Sequence, residues 1–379
     1  MSGTTANLAA VLPSAGSSLV IQARRIPSPG PDEVLIRNYA IAVNPADWKR
    51  QFLGIYIISY PVILGMDVAG VVEAVGSDVT LFKKGDRVLG SAPGTITNNP
   101  DQSGFQKYTV VQATATTKLP DAISFTQAAT LPSAVLTATV TLFSALDVPL
   151  LPPPPPPQQQ GEPSSSGGGK GKGKGKGTGI LVWSGASSTG NATIQLARRA
   201  GLTVFATASP RHHAAVRALG AAEVVDYRSP TAARDLAAAA RRAGVDVRLA
   251  VDPLSTAESL PLVLAALAEL SSASSAAPAP ALASASGRRK LRLAHLGPWP
   301  DQVERPADVD AVPVRALDAW TSRRDLAARV FNDLLGAWLE TGEFVPQTPR
   351  VIDGGLEGLQ TALETLRNGV SGEKLVVEL

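Results

Sequence analysis

The chain has no cysteine among its 379 residues and only three histidines. A protein without cysteine has no disulfide framework, and three histidines alone do not supply a Cys/His zinc site. The sequence therefore predicts that any chemistry here proceeds without a bound metal ion.

Aromatic residues are also scarce, at 5%, and the formal net charge is only +3. Four lysines and one glutamate within residues 152–179 account for that charge, so the rest of the chain is neutral. Nucleic-acid binding requires a basic face, commonly with interleaved aromatic rings. We expect no nucleic-acid partner.

Targeting and membrane signals are lacking as well. The first residues show no basic region followed by an apolar one, and no apolar run reaches the length expected of a membrane span. These absences predict a soluble cytoplasmic protein without a membrane partner.

What is present is enough hydrophobic sequence, 44%, for the cores of two domains. Residues 20–120 contain short apolar runs separated by glycine and proline, which predicts a β-barrel-like domain. Strands and helices alternate further along, which predicts an α/β fold with a doubly wound parallel sheet. The strands of that sheet are predicted at 180–183, 202–208, 223–227, 245–252 and 291–296. Near the end of the chain, 342–346 has β-type patterning, and the apolar run 374–379 is predicted to pair with the N-terminal barrel.

Low-complexity sequence occurs at 152–179, which is rich in proline, glycine and lysine, and at 271–287, which is rich in serine and alanine. Both are predicted to be disordered inserts. An alternative for the first is that its lysines bind an anionic partner.

A nucleotide-binding turn is predicted where an apolar strand meets an amphipathic helix, in the phrase SGASSTG at 184–190. The small side chains of such a turn allow backbone N–H groups to approach a pyrophosphate at the start of the helix. The usual G-x-G-x-x-G pattern is reduced to S-x-x-S-x-x-G and keeps only Gly190. The alternative is an ordinary strand-to-helix turn.

The end of the next strand suggests which cofactor this turn would serve. NAD-binding proteins place an acid there for the ribose 2′-hydroxyl, yet no acid occurs between Gly190 and Glu223. Ser209 and Arg211 occupy that region instead, and they suit a 2′-phosphate. The sequence predicts NADPH rather than NADH, unless Arg211 is simply a solvated surface residue.

Four phrases in order resemble the medium-chain dehydrogenase/reductase superfamily. They are NPADWK at 44–49, GMDVAGVVEAVGSDVTLFKKGDRV at 65–88, WSGASSTG at 183–190 and VSGEKLVV at 370–377. GMD stands where zinc enzymes carry Gly-His-Glu, so the chain resembles the zinc-free, quinone oxidoreductase-like branch. The phrases TASPRHH and VVDYRSP are similar to fungal trans-acting enoyl reductases of polyketide biosynthesis.

The resemblance implies a discontinuous GroES-like catalytic domain, residues 1–125 and 346–379, and a Rossmann NADPH-binding domain, residues 126–345. It also implies the site residues. Lys49 and Thr137 would be catalytic. The cofactor-binding residues would be Ala46, Asp47, Trp48, Lys49, Ser187, Ser188, Thr189, Gly190, Ser209, Arg211, Tyr227, Val370 and Ser371.

The reaction that the resemblance implies is zinc-independent reduction of the C=C bond of an enoyl thioester by NADPH, as part of secondary metabolism. The candidate donors that would polarise the carbonyl as enolate charge develops are Lys49, Tyr56 and Thr137, with Lys49 the strongest. For Tyr56 the preferred interpretation is a half-buried packing residue. The partners would be a free or carrier-bound enoyl substrate and a polyketide synthase, with the protein a monomer or homodimer. The alternatives are a quinone or enone reductase and a non-catalytic NADPH-binding scaffold.

Overall fold

The structure is a computed structural model that describes residues 6–150, 177–272 and 290–379. Most of the predicted inserts at 152–179 and 271–287 therefore lie outside the described residues. Their described edges differ from the prediction, because residues 178–179 begin a strand and residues 271–272 end a helix.

The chain divides into two compact units. The first comprises Met1–Thr141, Ala186–Thr193 and Arg315–Leu379, and the second comprises Leu142–Gly185 and Ile194–Val314. The domain boundaries inferred from the sequence, at 125/126 and 345/346, divide the chain elsewhere and stay a prediction.

The first unit contains a three-stranded and a seven-stranded sheet. Its strands are β1 (Asn7–Leu12), β2 (Val20–Arg24), β3 (Glu33–Ala42), β4 (Val62–Ile63), β5 (Asp67–Val75), β6 (Arg87–Ser91), β7 (Tyr108–Gln112), β8 (Thr116–Lys118), β15 (Pro349–Ile352) and β16 (Lys374–Glu378). The small sheet has the order β2-β1-β4. The large sheet has the order β15-β16-β3-β5-β6-β8, with β7 also paired to β3.

The C-terminal strand β16 pairs antiparallel with β3, which aligns Val377 with Ile41. This confirms the predicted pairing of the closing strand with the N-terminal sheet. The predicted β-type segment at 342–346 was wrong. The backbone N–H of Phe344 bonds back to Trp338, and Pro346 has no N–H for a ladder, so strand β15 begins only at Pro349.

The helices of this unit are α1 (Pro45–Leu53), α2 (Gly94–Thr97), α3 (Phe125–Ala128), α4 (Pro132–Val140), α9 (Arg324–Val330), α10 (Gly336–Glu340) and α11 (Gly358–Asn368). Helix α11 buries Leu359, Ala362 and Leu363, the i, i+3, i+4 spacing of an amphipathic helix, in the core that also contains β1 and β3.

Within the residues that the structure describes, one apolar stretch, Phe125–Ala145, is long enough by length and composition to cross a membrane. The sequence prediction that no such run exists was therefore wrong. However, 78% of its most apolar segment is buried inside the protein, which is the situation of a core helix.

The second unit is built on one parallel sheet with the order β11-β10-β9-β12-β13-β14. The strands are β9 (Thr178–Val182), β10 (Thr203–Thr207), β11 (Ala221–Val225), β12 (Asp246–Asp252), β13 (Leu291–His295) and β14 (Val309–Pro313). The helices are α5 (Ser188–Arg199), α6 (His213–Ala218), α7 (Ala232–Ala243) and α8 (Ser259–Ser272), and the first residues of α5 are counted with the first unit. This order is that of a Rossmann fold, with its topological switch point beside β9 and β12, and it confirms the predicted doubly wound sheet. The sequence analysis missed β14.

Candidate functional site

The carboxyl ends of β10 and β11 lie side by side in the second unit. Thr207 pairs with Val225, and the next N–H, of Ala208, donates to the Val225 carbonyl at 3.0 Å. Ser209 and Tyr227 each follow two residues beyond these paired strand ends. The structure thus brings two of the predicted 2′-phosphate residues to the same sheet edge, with Arg211 exposed in the short turn after Ser209.

The polar side chains at this edge form hydrogen bonds with residues close to them in the sequence. The Arg211 Nε donates to His212 Nε2 at 3.3 Å, and partial burial together with the Arg211 charge lowers the pKa of His212. Asp226 accepts two hydrogen bonds from the Arg228 guanidinium, at 3.0 and 2.9 Å, and one from the Arg228 backbone N–H at 3.1 Å, and these bonds lower the pKa of that carboxyl. The Asp226 carboxylate is thus engaged by its own neighbour, while Arg211 is exposed at the same edge.

In the same unit, the polar groups at the carboxyl ends of β12 and β13 form hydrogen bonds with one another. Buried Asp252 accepts from Ser259 Oγ at 2.6 Å, while Ser255 Oγ donates to the Asp252 carbonyl at 2.9 Å. The Leu296 N–H donates to that same Ser255 hydroxyl at 2.8 Å. Burial raises the pKa of Asp252. These groups hold two strand ends together and are not open to a ligand.

Gly185 allows close packing in the turn after β9. A Cβ there would lie 3.0 Å from Ile194 Cδ1 and 3.1 Å from Val216 Cγ1, so these side chains would have to shift by a few tenths of an ångström to admit it. The preceding residue, Ser184, has a left-handed φ of 57°. Its N–H is held by Thr207 Oγ1 at 3.1 Å. Ser184 stands where the usual pattern has its first glycine, and its backbone adopts the left-handed conformation that glycine favours.

The start of α5 lies in the first unit, and Ser187 caps it. The Gly190 N–H donates to Ser187 Oγ at 3.1 Å. Ser188 Oγ donates to Gln347 Oε1 at 2.5 Å, and Gln347 Nε2 donates to the Ala186 carbonyl at 3.2 Å. The first N–H groups of a helix have no acceptor within it, and they favour an anion such as a phosphate.

A buried ionic centre lies elsewhere in the first unit, and we call Asp67, Asn44, Ser133 and Lys374 the Asp67 centre. One Asp67 oxygen accepts from the Ser133 N–H at 2.7 Å and from its hydroxyl at 2.5 Å. The other accepts from Asn44 Nδ2 at 2.9 Å and lies 3.1 Å from Lys374 Nζ. Lys374 also donates to Asn44 Oδ1. One carboxylate therefore fixes the starts of α1 and α4 and the start of β16.

The predicted site residues of helix α1 come directly after Asn44 of the Asp67 centre in the sequence. Asp47 is buried and accepts from the backbone N–H groups of Asn44, at 2.8 Å, and Gly65, at 3.2 Å, and burial raises its pKa to about 6. Asp47 is thus a structural anchor of the helix start. Lys49 is exposed, with its ammonium 5.7 Å from the centre of the half-buried Trp48 ring.

The other predicted residues of the first unit are partly accessible. Ala46, Thr137, Thr189 and Val370 are half-buried, and Ser371 is exposed in the loop between α11 and β16. Residues at the starts of α1 and α4 both donate hydrogen bonds to the Asp67 carboxylate. This carboxylate therefore links the helix that carries Lys49 to the helix that carries Thr137. Tyr56, which was expected to be a packing residue, is instead 63% exposed.

Sequence reasoning missed Asp67, Lys374 and Gln347. Asp67 and Lys374 lay inside two of the phrases that carried the family resemblance, yet their pairing is not visible in either phrase. Within the described residues, no group of three or more His, Cys, Asp or Glu side chains is placed to hold a metal ion.

Comparison with known proteins agrees with this architecture. A family model described as the alcohol dehydrogenase GroES-like domain matches residues 30–121. The dehydrogenase azaJ of Aspergillus niger is 34% identical over 385 residues, covering 98% of this chain and 99% of its own. The trans-enoyl reductase tndF of Aspergillus flavipes is 34% identical over 381 residues, covering 98% of each chain. A solved mycobacterial structure complexed with NADPH has 23% identity and a TM-score of 0.68, and covers 98% of this chain and 100% of its own.

The relatives named as a dehydrogenase and a reductase, together with the Rossmann-type sheet of the second unit, place the chain in the class of oxidoreductases. Within that class, the chain belongs to the medium-chain dehydrogenase/reductase superfamily, with fungal dehydrogenases and trans-enoyl reductases among its relatives. The predicted family is confirmed.

Proposed function

We propose that this chain is an NADPH-dependent oxidoreductase that reduces the C=C bond of an enoyl thioester without a metal. The observation that carries the cofactor assignment is the edge formed by Ser209, Arg211 and Tyr227 beyond β10 and β11, where the nearby carboxylate of Asp226 is bound to Arg228. The name of tndF supports the enoyl substrate. The NADPH complex of the mycobacterial neighbour is consistent with the cofactor.

The residues present fit this cofactor at two places. Ser209, Arg211 and Tyr227 would hold the 2′-phosphate, because a guanidinium and hydroxyl groups give charge-assisted hydrogen bonds to its oxygens. The first N–H groups of α5 would hold the pyrophosphate. NADPH, when bound, supplies the hydride that reduces the β-carbon.

The protein's own part in the reaction is to stabilise negative charge on the substrate carbonyl. The exposed Lys49 ammonium can approach that oxygen, and the Thr137 hydroxyl can donate a hydrogen bond to it. The Asp67 centre keeps the starts of both helices in place, so the backbone positions that carry the two donors are fixed before the reaction. The proton that completes the α-carbon would come from solvent or from one of these donors.

The wider assignments belong to the same proposal. The substrate would be carried by coenzyme A or by a carrier domain, with a polyketide synthase as partner, in the cytoplasm. A quinone or free-enone reductase and a non-catalytic NADPH-binding scaffold are the competing functions.

The test is a titration with NADPH and NADH side by side, followed by NADPH oxidation with crotonyl thioesters and benzoquinone. We expect NADPH to bind at least tenfold more tightly and a thioester to be reduced faster than the quinone. Tight binding without turnover across the panel would favour the scaffold, and equal binding of the two dinucleotides would contradict the cofactor assignment.

Lys49→Ala tests the catalytic assignment. Turnover should fall by about 10²-fold with NADPH binding retained, which is the scale of removing one oxyanion donor. The matched control is Lys83→Ala, which removes an exposed lysine outside the site and should leave turnover unchanged. Unchanged turnover in Lys49→Ala would remove this residue from the mechanism.

A further inference from the structure

The phosphate-binding turn is supported from one side by a buried glutamine that sequence reasoning did not find. Gln347 is 6% exposed, and its amide contacts the turn twice. Its oxygen accepts from the Ser188 hydroxyl at 2.5 Å, and its nitrogen donates to the Ala186 carbonyl at 3.2 Å. All three residues belong to the first unit.

The glutamine is itself held in place along the chain. Phe344, three residues earlier, is 1% exposed and stacks on Trp338 with ring centres 6.3 Å apart. Just after it, the Thr348 carbonyl accepts from the Lys374 N–H at 3.0 Å, and strand β15 begins at Pro349. A side chain anchored on both sides can impose its position on a turn that has little side-chain packing of its own.

The two contacts hold the Ala186 carbonyl and the Ser188 hydroxyl. The position of these groups affects the direction of the first N–H groups of α5. Bonding of the Ala186 carbonyl to the amide nitrogen restrains the peptide unit between Ala186 and Ser187, and with it the direction of the N–H that enters the helix start. Bonding of the Ser188 hydroxyl to the amide oxygen occupies a group that would otherwise be expected to contact phosphate directly.

We propose that Gln347 is a positioning residue for the pyrophosphate: it orients the Ala186–Ser188 backbone, and Ser188 acts through Gln347 rather than by touching the phosphate. This inference rests on the proposed NADPH-binding function. It assigns the anion contacts at this turn to backbone N–H groups.

The experiment compares Gln347→Met, which keeps the length and removes both hydrogen bonds, with the wild-type protein. Three ligands are titrated by calorimetry: NADPH, adenosine 2′,5′-bisphosphate and adenosine 2′-monophosphate. We expect a loss of about tenfold for the first two, which carry the 5′-phosphate, and no loss for the third, which lacks it. The unliganded thermal midpoint is measured in parallel.

Ser188→Ala and the double variant complete a double-mutant cycle. If Ser188 acts through Gln347, the double variant binds NADPH no more weakly than Gln347→Met alone. Ser188→Ala by itself should then cause the smaller loss, because the Ala186 contact survives. Should Gln347→Met not fold, Ser188→Ala still has to weaken the two 5′-phosphate ligands and spare the 2′-monophosphate.

Several outcomes would overturn the inference. They are wild-type NADPH affinity in Gln347→Met, equal losses for all three ligands, and additive losses in the cycle, which would mean that Ser188 contacts phosphate itself. Failure of the wild-type protein to bind NADPH would remove the proposed function as well, whereas normal wild-type binding with unaffected variants removes only the role of Gln347.

Discussion

Opposite charges meet in both units of this protein, but in different surroundings. The side chains of Asp67 and Lys374 are 0% and 5% exposed, whereas those of Asp226 and Arg228 are 24% and 59% exposed. A buried pair fixes structure because loss of one partner leaves a charge without water. An exposed pair contributes little to stability. Substitutions at the sheet edge beside Asp226 and Arg228 are therefore expected to change ligand binding more than folding.

The largest effect is expected from breaking the buried pair. Asp67→Ala leaves the Lys374 ammonium buried without its counter-charge, so the free energy of unfolding should fall by about 3–5 kcal/mol. Urea denaturation measures this loss. Asp67→Leu combined with Lys374→Met should recover part of it, because no isolated charge then remains. A loss below about 1 kcal/mol for Asp67→Ala would show that the pair is not buried as described.

The next effect concerns pH and the buried carboxyl of Asp47. Its pKa of about 6 lies above the ordinary value of 3.8, so the folded protein binds the proton more tightly than the unfolded chain. Stability from this group is complete below pH 3.8 and is lost as the pH rises through 6. At ~1.4 kcal/mol per pKa unit, the total loss from well below pH 3.8 to neutrality is about 3 kcal/mol, and about 2 kcal/mol of it falls between pH 4 and pH 7.

The measurement is the free energy of unfolding at pH 4 and pH 7 for the wild type and Asp47→Asn. Titrating groups away from Asp47 contribute equally to both proteins, so the wild type should lose more stability than the variant over this interval. Parallel pH profiles would contradict the raised pKa.

A smaller effect is expected at the exposed edge of the second unit. Arg211→Ala should weaken NADPH binding by roughly 10- to 100-fold, the scale of one hydrogen bond to a charged group. NADH binding should not change, since NADH has no 2′-phosphate. The exposed Arg241 provides the matched control, because Arg241→Ala removes a surface guanidinium from the last turn of α7. Equal losses for both dinucleotides would place Arg211 outside the 2′-phosphate site.

The smallest effect is expected for Arg228→Ala. The pair with Asp226 is exposed, so the thermal midpoint should not move measurably. The freed Asp226 carboxylate should nevertheless lower the preference for NADPH over NADH, which the same titration detects. A clear fall in the thermal midpoint would contradict the conclusion that the exposed pair contributes less to stability than the buried pair of Asp67 and Lys374.

Much of the second unit could be predicted from its sequence because its elements are local. The runs of apolar residues that form β9, β10 and β12, and the small-residue turn between β9 and α5, are legible over a few residues each. Strand β14 was missed because VDAVP, with its acid and its proline, does not resemble a buried strand. It is an edge strand, where such residues are tolerated.

The Asp67 centre could not be predicted for the opposite reason. Asp67 bonds to residues that are distant in the chain, among them Ser133, and a single sequence carries no signal of that pairing. The same holds for Gln347 and Ser188, which are 159 residues apart. Local pattern revealed which residue types were present, and only the fold shows which of them meet.

The contact between Asn44 and Lys374 joins residues separated by 330 positions. Contacts of such long range form late in folding, because the entropy of closing a large loop has to be overcome first. Interactions absent from the folding transition state act on the unfolding rate. We therefore expect substitutions in the Asp67 centre to shorten the lifetime of the native state while the refolding rate stays nearly constant, so that this centre provides kinetic stability.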